Sequence, residues 1–285
     1  MYFSKLNSLL ILFVSVIAVL YALPNAVTKF NFNEIIGFVP TMGSLHNGHL
    51  SLIKIAKKKS KKVLVSIFVN PSQFNDKKDF LKYPRDLKKD ISILKKIGVN
   101  YLFLPNNNEI YKKGIKKKFI IYKKDKILCA KYRKGHFEGV LAVVHRFLSN
   151  INPKYMFLGE KDFQQVYLIK KYLQKHTKTK IISCNTIRNK NKLPLSSRNI
   201  LLSKANLKKS EKISKLLFDL KNKISKNLQN IKLLDLYKNK INDLCDKIEY
   251  FEIRNLNNLS KNFSKENFKI FIAYKQNKVR LIENI

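Results

Sequence analysis

From residue 35 onward, short apolar runs of strand length alternate with longer stretches whose apolar residues recur at helical spacing. Residues 35–39 read as a strand and 49–61 as the helix that follows it. Residues 62–69 are rich in β-branched side chains and read as a second strand. An amphipathic helix over 86–97 puts Leu87, Ile91 and Leu94 on one face, and 101–104 is a short strand stopped by Pro105. Helix at 140–150, strand at 155–158, helix at 163–176 and strand at 180–185 complete a βα series, which predicts an α/β fold with a doubly wound parallel sheet. Ligands are expected at the carboxyl ends of its strands.

Beyond Ile187 the character changes. Lysine-rich helices over 206–228 and 233–247 precede three strands at 248–253, 268–274 and 279–282, a smaller α+β domain. The chain therefore divides into an apolar segment 1–33, a ligand-binding domain 34–186 and a carboxyl-terminal domain 187–285.

The first of these breaks the alternation. No charge lies between Lys5 and Lys29, and residues 9–23 are almost wholly apolar. That run is long enough for a membrane span or signal anchor, with Lys5 as its positive flank and membrane contact through residues 6–27. Ala22 and Ala26 make poor cleavage positions. Export or anchoring, organelle targeting, and an atypical start ahead of a cytoplasmic protein all fit.

At 285 residues, 45% of them hydrophobic, the chain can bury a substantial core. A net charge of +39 suggests a polyanionic partner, but the lysines are scattered, as at 57–59, 116–118 and 208–209. Without an arginine tract or an RNP-like motif, the charge reads as a solvated surface, and no nucleic-acid partner is expected. Cys129, Cys184 and Cys245 are widely spaced and odd in number, so neither a disulfide framework nor a zinc site follows.

The chemistry concentrates after the first of these strands, in Pro40-Thr41-Met42-Gly43-Ser44-Leu45-His46-Asn47-Gly48-His49. Glycines at a strand-to-helix corner let a ligand approach the backbone, and the helix start favours phosphate. His46 and His49, three apart, share a helix face and can both donate to one polyphosphate.

Further segments follow in order: Ser66-Ile67-Phe68-Val69-Asn70-Pro71-Ser72-Gln73-Phe74, Tyr83-Pro84-Arg85, Gly135-His136-Phe137-Glu138-Gly139-Val140, Phe157-Leu158-Gly159-Glu160-Lys161-Asp162-Phe163-Gln164-Gln165 and Leu195-Ser196-Ser197-Arg198-Asn199. With the tail segments Tyr250-Phe251-Glu252-Ile253-Arg254 and Arg280-Leu281-Ile282-Glu283-Asn284-Ile285, the chain from Ile35 to its last residue resembles the pantothenate synthetase family of the HIGH-motif nucleotidyl-transfer superfamily.

The resemblance implies a Rossmann-like doubly wound domain with a smaller carboxyl-terminal lid. It also implies ATP-dependent condensation of pantoate with beta-alanine through a pantoyl-adenylate, releasing AMP and pyrophosphate. His49, His46 and Lys161 become the expected catalytic residues, His49 as proton donor to the departing group. Met42, Gly43, Ser44, Leu45, His46, Asn47, Gly48 and His49, then Gly159, Glu160, Lys161 and Asp162, then Ile187, Leu195, Ser196, Ser197 and Arg198, are the expected ATP contacts.

Gln73 and Gln165 are the expected pantoate and beta-alanine contacts, since neutral amides suit a carboxylate that must stay reactive. Pro71 holds Asn70 extended at the pocket, while Arg133 and His136 flank it, as local salt bridges and caps or in a direct role. Magnesium should accompany ATP. No ligand set is evident in the sequence, and Asp90 corresponds to an acidic residue of the family.

A homodimer is implied, and a cytoplasmic setting fits the substrates. Where the family shows Asp-Gly-Leu-Ala, this chain has Asn191-Lys192-Leu193-Pro194, which predicts a stiffer loop before the serines. A cytidylyl- or adenylyltransferase of the same superfamily shares the HxGH corner, and the +39 charge would suit a nucleic-acid binder on such a scaffold. The paired glutamines argue against the former.

Overall fold

The computed structural model describes residues 10–13, 19–21, 35–111 and 119–285. The chain forms two units: one runs to Glu160 and resumes over Gln164–Asn185, and the other comprises Lys161–Phe163 and Thr186–Ile285.

The first unit is built on β1 (Leu10–Phe13), β2 (Val19–Tyr21), β3 (Ile36–Thr41), α1 (Asn47–Lys59), β4 (Lys62–Ile67), α2 (Lys77–Lys82), α3 (Leu87–Lys96), β5 (Tyr101–Leu104), α4 (Asn107–Ile110), α5 (Cys129–Tyr132), α6 (His136–Ile151), β6 (Tyr155–Gly159), α7 (Phe163–Leu173) and β7 (Lys180–Cys184). Its sheet has the order β2-β1-β5-β4-β3-β6-β7. The five strands from β5 to β7 are parallel, as the βα alternation predicts. Such strands are covered on both faces, and Phe38, Val39, Leu64, Val65, Leu102 and Phe157 are fully buried. Leu52, Ile53 and Ala56 of α1 and Leu94 of α3 pack into this core. Leu87, in the first turn of α3, stays exposed.

Only two short pieces of the apolar head are described. Its described parts are strands: β1 pairs antiparallel with β5, Leu10 opposite Leu104 through Phe13 opposite Tyr101, and β2 pairs with β1. Apolar length does not distinguish a strand from a helix, and the edge of a parallel sheet offers unpaired backbone groups for such a segment to join. Among the described residues no helix is long and apolar enough to cross a membrane. The rest of 6–27 lies outside the described residues.

In the second unit α8 (Lys204–Lys226) and α9 (Leu234–Asn242) accompany an antiparallel sheet of β8 (Lys247–Asn255), β9 (Phe268–Gln276) and β10 (Val279–Asn284), ordered β10-β9-β8. Ile213, Leu217, Leu220 and Ile224 line one face of α8 and meet Phe251, Ile270 and Ile272 of the sheet. Helix α9 ends at Asn242, short of the expected 247, because the β8 ladder takes over: the Asp246 amide already bonds the Lys275 carbonyl at 3.0 Å. A two-residue turn, Asn277-Lys278 with both φ positive, joins β9 to β10 and matches the right-handed strand twist.

Candidate active site

Within the parallel sheet the chain winds outward from β3 through β4 to β5, then returns to the other side of β3 as β6. Such a reversal marks the carboxyl ends of β3 and β6 as the place where ligands of open α/β sheets bind.

The β3 end is braced from within. Thr41 donates its hydroxyl to the Ser66 carbonyl at 2.7 Å and accepts the Gly43 amide at 3.2 Å. Gly43 has φ +78°, and a Cβ there would come within 3.0 Å of Asp90 and Ile67 side-chain atoms, so only glycine fits without strain. Ser44 continues the left-handed turn at φ 51°. The amides of Ser44 and Leu45 each donate to one carboxylate oxygen of Asp90 at 2.8 Å. Burial raises the Asp90 pKa, and those two amides partly offset it.

The two histidines then start α1 by capping it reciprocally. Gly48 donates its amide to His46 Nδ1 at 3.1 Å, and His46 donates its own amide to His49 Nδ1 at 3.3 Å. A ring nitrogen that accepts a backbone N–H carries no proton, so both imidazoles hold theirs on Nε2. The rings lie 4.1 Å apart between centroids.

After β4 comes a turn, Pro71–Gln73, organised by the buried Asn70. Asn70 is extended, at φ −70° and ψ 112°. Its side-chain oxygen accepts from Tyr111 and from the Ser72 amide at 3.2 Å, while its nitrogen donates to the Gly139 carbonyl at 3.2 Å and to Gln73 Oε1 at 3.3 Å. Gly139 allows this contact: a Cβ there would meet the Ser72 carbonyl oxygen at 2.6 Å. The Gln73 amide nitrogen reaches Met42 Sδ at 2.8 Å, which ties the turn to the β3 corner. Arg133 and His136 both donate to the Gln73 main-chain carbonyl, at 3.0 and 2.7 Å.

At the β6 end, Gly159 has neither a positive φ nor any described atom within 4 Å of where a Cβ would stand. Among the described residues, no close contact demands glycine there. Burial, with Glu160 nearby, pushes the Cys184 thiol up to about 11, so it stays protonated and unreactive. Gln164 is buried and donates to the Ile127 carbonyl at 2.7 Å, whereas Gln165, beside it in the first turn of α7, is half-buried.

In the second unit Lys161 lies 3.6 Å from Asp162, and its carbonyl accepts the Asn284 side chain at 2.9 Å. The Ile187 carbonyl accepts the Leu195 amide at 2.9 Å, and Arg188 and Pro194 form an antiparallel bridge, so the serine segment leaves a tight hairpin-like loop. Asn189 holds that loop from inside, its Oδ1 accepting the Asn191 and Leu193 amides at 2.9 and 3.0 Å. The side-chain amides of Asn189 and Asn191 both donate to Glu211 on α8. Ser196 then caps the turn Ser197–Leu201 through the Arg198 amide at 3.3 Å.

Sequence-expected residues 42–49, Gln73 and Asp90 thus form one braced assembly around the β3 corner, with Gly159, Glu160 and Gln165 at the neighbouring β6 end. Lys161, Asp162, Ile187 and Leu195–Arg198 belong to the other unit. Tyr111, Asn189 and Glu211 carry the supporting hydrogen bonds, and no sequence signal marked them. Among the described residues no group of three His, Cys, Asp or Glu side chains could hold a metal ion.

A doubly wound sheet whose central strand turns through glycine into paired histidines is a nucleotide-binding α/β architecture. The family model described as Pantoate-beta-alanine ligase matches residues 15–285. Pantothenate synthetase of Francisella tularensis subsp. novicida (strain U112) is 42% identical over 270 residues, covering 93% of each chain. The crystal structure of pantothenate synthetase from Thermus thermophilus superposes with a TM-score of 0.81 at 29% identity, over 88% of this chain and 93% of that one. A pantoate-beta-alanine ligase from Francisella tularensis, complexed with beta-gamma ATP and beta-alanine, gives a TM-score of 0.76 at 39% identity, over 90% and 91%. The chain belongs to the pantoate-beta-alanine ligase family.

Proposed function

We propose that this chain joins pantoate to beta-alanine with ATP in two displacements. A pantoate carboxylate oxygen attacks the α-phosphorus and pyrophosphate leaves; the beta-alanine amine then attacks the acyl carbon of the pantoyl-adenylate, releasing AMP and a proton. Adenylation is needed because hydroxide is a poor leaving group, and most of the enzyme's work is alignment and neutralisation of charge.

The observation that carries this reading is the reciprocal capping of His46 and His49, which fixes both rings as Nε2–H donors at a helix start suited to phosphate. His49 donates toward the departing pyrophosphate, and Lys161 balances charge on the phosphates. Ser196, Ser197 and Arg198 supply hydroxyls and a guanidinium to the triphosphate. Gly159, with open space among the described residues where a Cβ would stand, leaves room for the nucleotide to pass close to the backbone. Gln73 and Gln165 read pantoate with neutral amides.

Asp90 braces the backbone, each of its oxygens accepting one amide, and among the described residues it has no two further His, Cys, Asp or Glu side chains with which to hold a metal ion. Magnesium accompanying ATP belongs with the nucleotide's own phosphates in this reading. The enzyme acts as a cytoplasmic homodimer, where its substrates are found.

The test is exchange of labelled pyrophosphate into ATP. Exchange that requires pantoate but not beta-alanine supports the two-step route. A requirement for beta-alanine overturns it, and salt-sensitive RNA binding without turnover would favour the nucleic-acid reading.

A further inference from the structure

The mechanism leaves Arg133 and His136 without a task, although both converge on one atom. We propose that they are positioning residues for pantoate: together they clamp the main-chain carbonyl of Gln73 and so fix where its side-chain amide meets the substrate. The inference rests on the reading of Gln73 as a pantoate contact.

The protonation pattern follows from the partners. A carbonyl oxygen only accepts, so His136 Nδ1, 2.7 Å from it, carries the proton. Arg133 Nη2 supplies the second donor at 3.0 Å, filling both lone pairs of that oxygen. Arg133 Nη1 stands 3.0 Å from His136 Nε2, and a guanidinium only donates, so Nε2 accepts. Both donors are thus locked to each other as well as to Gln73.

Local backbone geometry makes this possible. Gly135, at φ +78°, lies between the two residues and turns the chain so that Arg133 and His136 point the same way. The clamp is also one of several ties between the same two segments: Asn75 donates to the Lys134 carbonyl at 2.6 Å and Asn70 to the Gly139 carbonyl at 3.2 Å. The turn Pro71–Gln73 is a single 3₁₀ turn, whose intrinsic stability is low. Its precision must come from outside, and His136, 6% exposed, is well placed to supply it.

Steady-state kinetics on purified variants test this. His136→Ala should raise the KM for pantoate about tenfold, as for one lost hydrogen bond, with the KM for ATP unmoved. His136→Asn, whose amide nitrogen takes the place of Nδ1, should restore most of the loss; His136→Gln, which places its amide at the Nε2 position, should not. In a Gln73→Ala background, His136→Ala should add nothing further to the pantoate KM, because its effect passes through Gln73.

Equal behaviour of the Asn and Gln variants, or a parallel rise in the KM for ATP, overturns the clamp. Should His136→Ala fail to fold, the Asn and Gln pair decides alone. If Gln73→Ala itself leaves the pantoate KM unchanged, the reading of Gln73 fails and the clamp falls with it; a Gln73 effect without a His136 effect refutes the clamp alone.

Discussion

His49 accepts the backbone amide of His46 through Nδ1, at 3.3 Å, so the cap of α1 and the donor proposed for the departing pyrophosphate share one ring. The two roles use different nitrogens and are separable. His49→Asn retains an acceptor near the Nδ1 position and should keep the cap. His49→Ala should lose about 1 kcal/mol of stability as well. Both should slow adenylate formation about a hundredfold, as for removal of one transition-state donor. Pyrophosphate-exchange rates and urea unfolding of the two variants measure the two roles independently.

Asp90 braces the turn that His46 and His49 follow. Asp90→Ala leaves the Ser44 and Leu45 amides without their acceptor and should destabilise the protein by about 3 kcal/mol in urea unfolding. The magnesium concentration for half-maximal rate should stay put in Asp90→Asn. A marked increase would make Asp90 a metal ligand instead.

Lys192 adopts φ +71° in the loop before the serines, a left-handed conformation that glycine takes without strain. Its ammonium lies 4.5 Å from the Phe218 ring centre, a contact that offsets part of the backbone cost. Lys192→Gly and Lys192→Ala both lose that contact, but only glycine removes the strain. The glycine variant should therefore be more stable than the alanine variant by about 1 kcal/mol, read as a difference in unfolding midpoints.

Lys221 donates to the Phe268 carbonyl at 2.6 Å, and burial, with Lys269 nearby, pulls its pKa down to about 8. Between that value and the ordinary lysine value of 10.5 the unfolded chain binds more protons than the folded one, so this group's contribution to stability rises with pH through that window and is lost as pH falls through 8. Comparing urea unfolding at pH 7.5 and pH 10, about the edges of the window, Lys221→Met should remove that increment while other pH effects remain.

The order of strands and helices could be read from the sequence because burial on both faces leaves unbroken apolar runs at β3, β4 and β6. The histidine corner was equally plain, since its signal is local. Three features were not. Helix α6 begins at His136 rather than at 140, because the left-handed Gly135 sets its start. The partners of Asp90 lie more than forty residues away in sequence, so no local spacing reveals them. The head residues Leu10–Phe13 and Val19–Tyr21 join the sheet edge through backbone pairing, to which a count of apolar side chains is blind.

Arg188 anchors the serine loop from an unexpected quarter. Its guanidinium donates to the buried Glu283 carboxylate and, at 2.9 Å, to the Asn284 carbonyl, while Ser214 bonds the other Glu283 oxygen at 2.7 Å. One residue further, Ile285 exchanges two backbone hydrogen bonds with Ile270. Removing Glu283 and Asn284 would therefore unmoor a segment that starts 95 residues before Glu283, so the strand edge and the serine loop share one anchor.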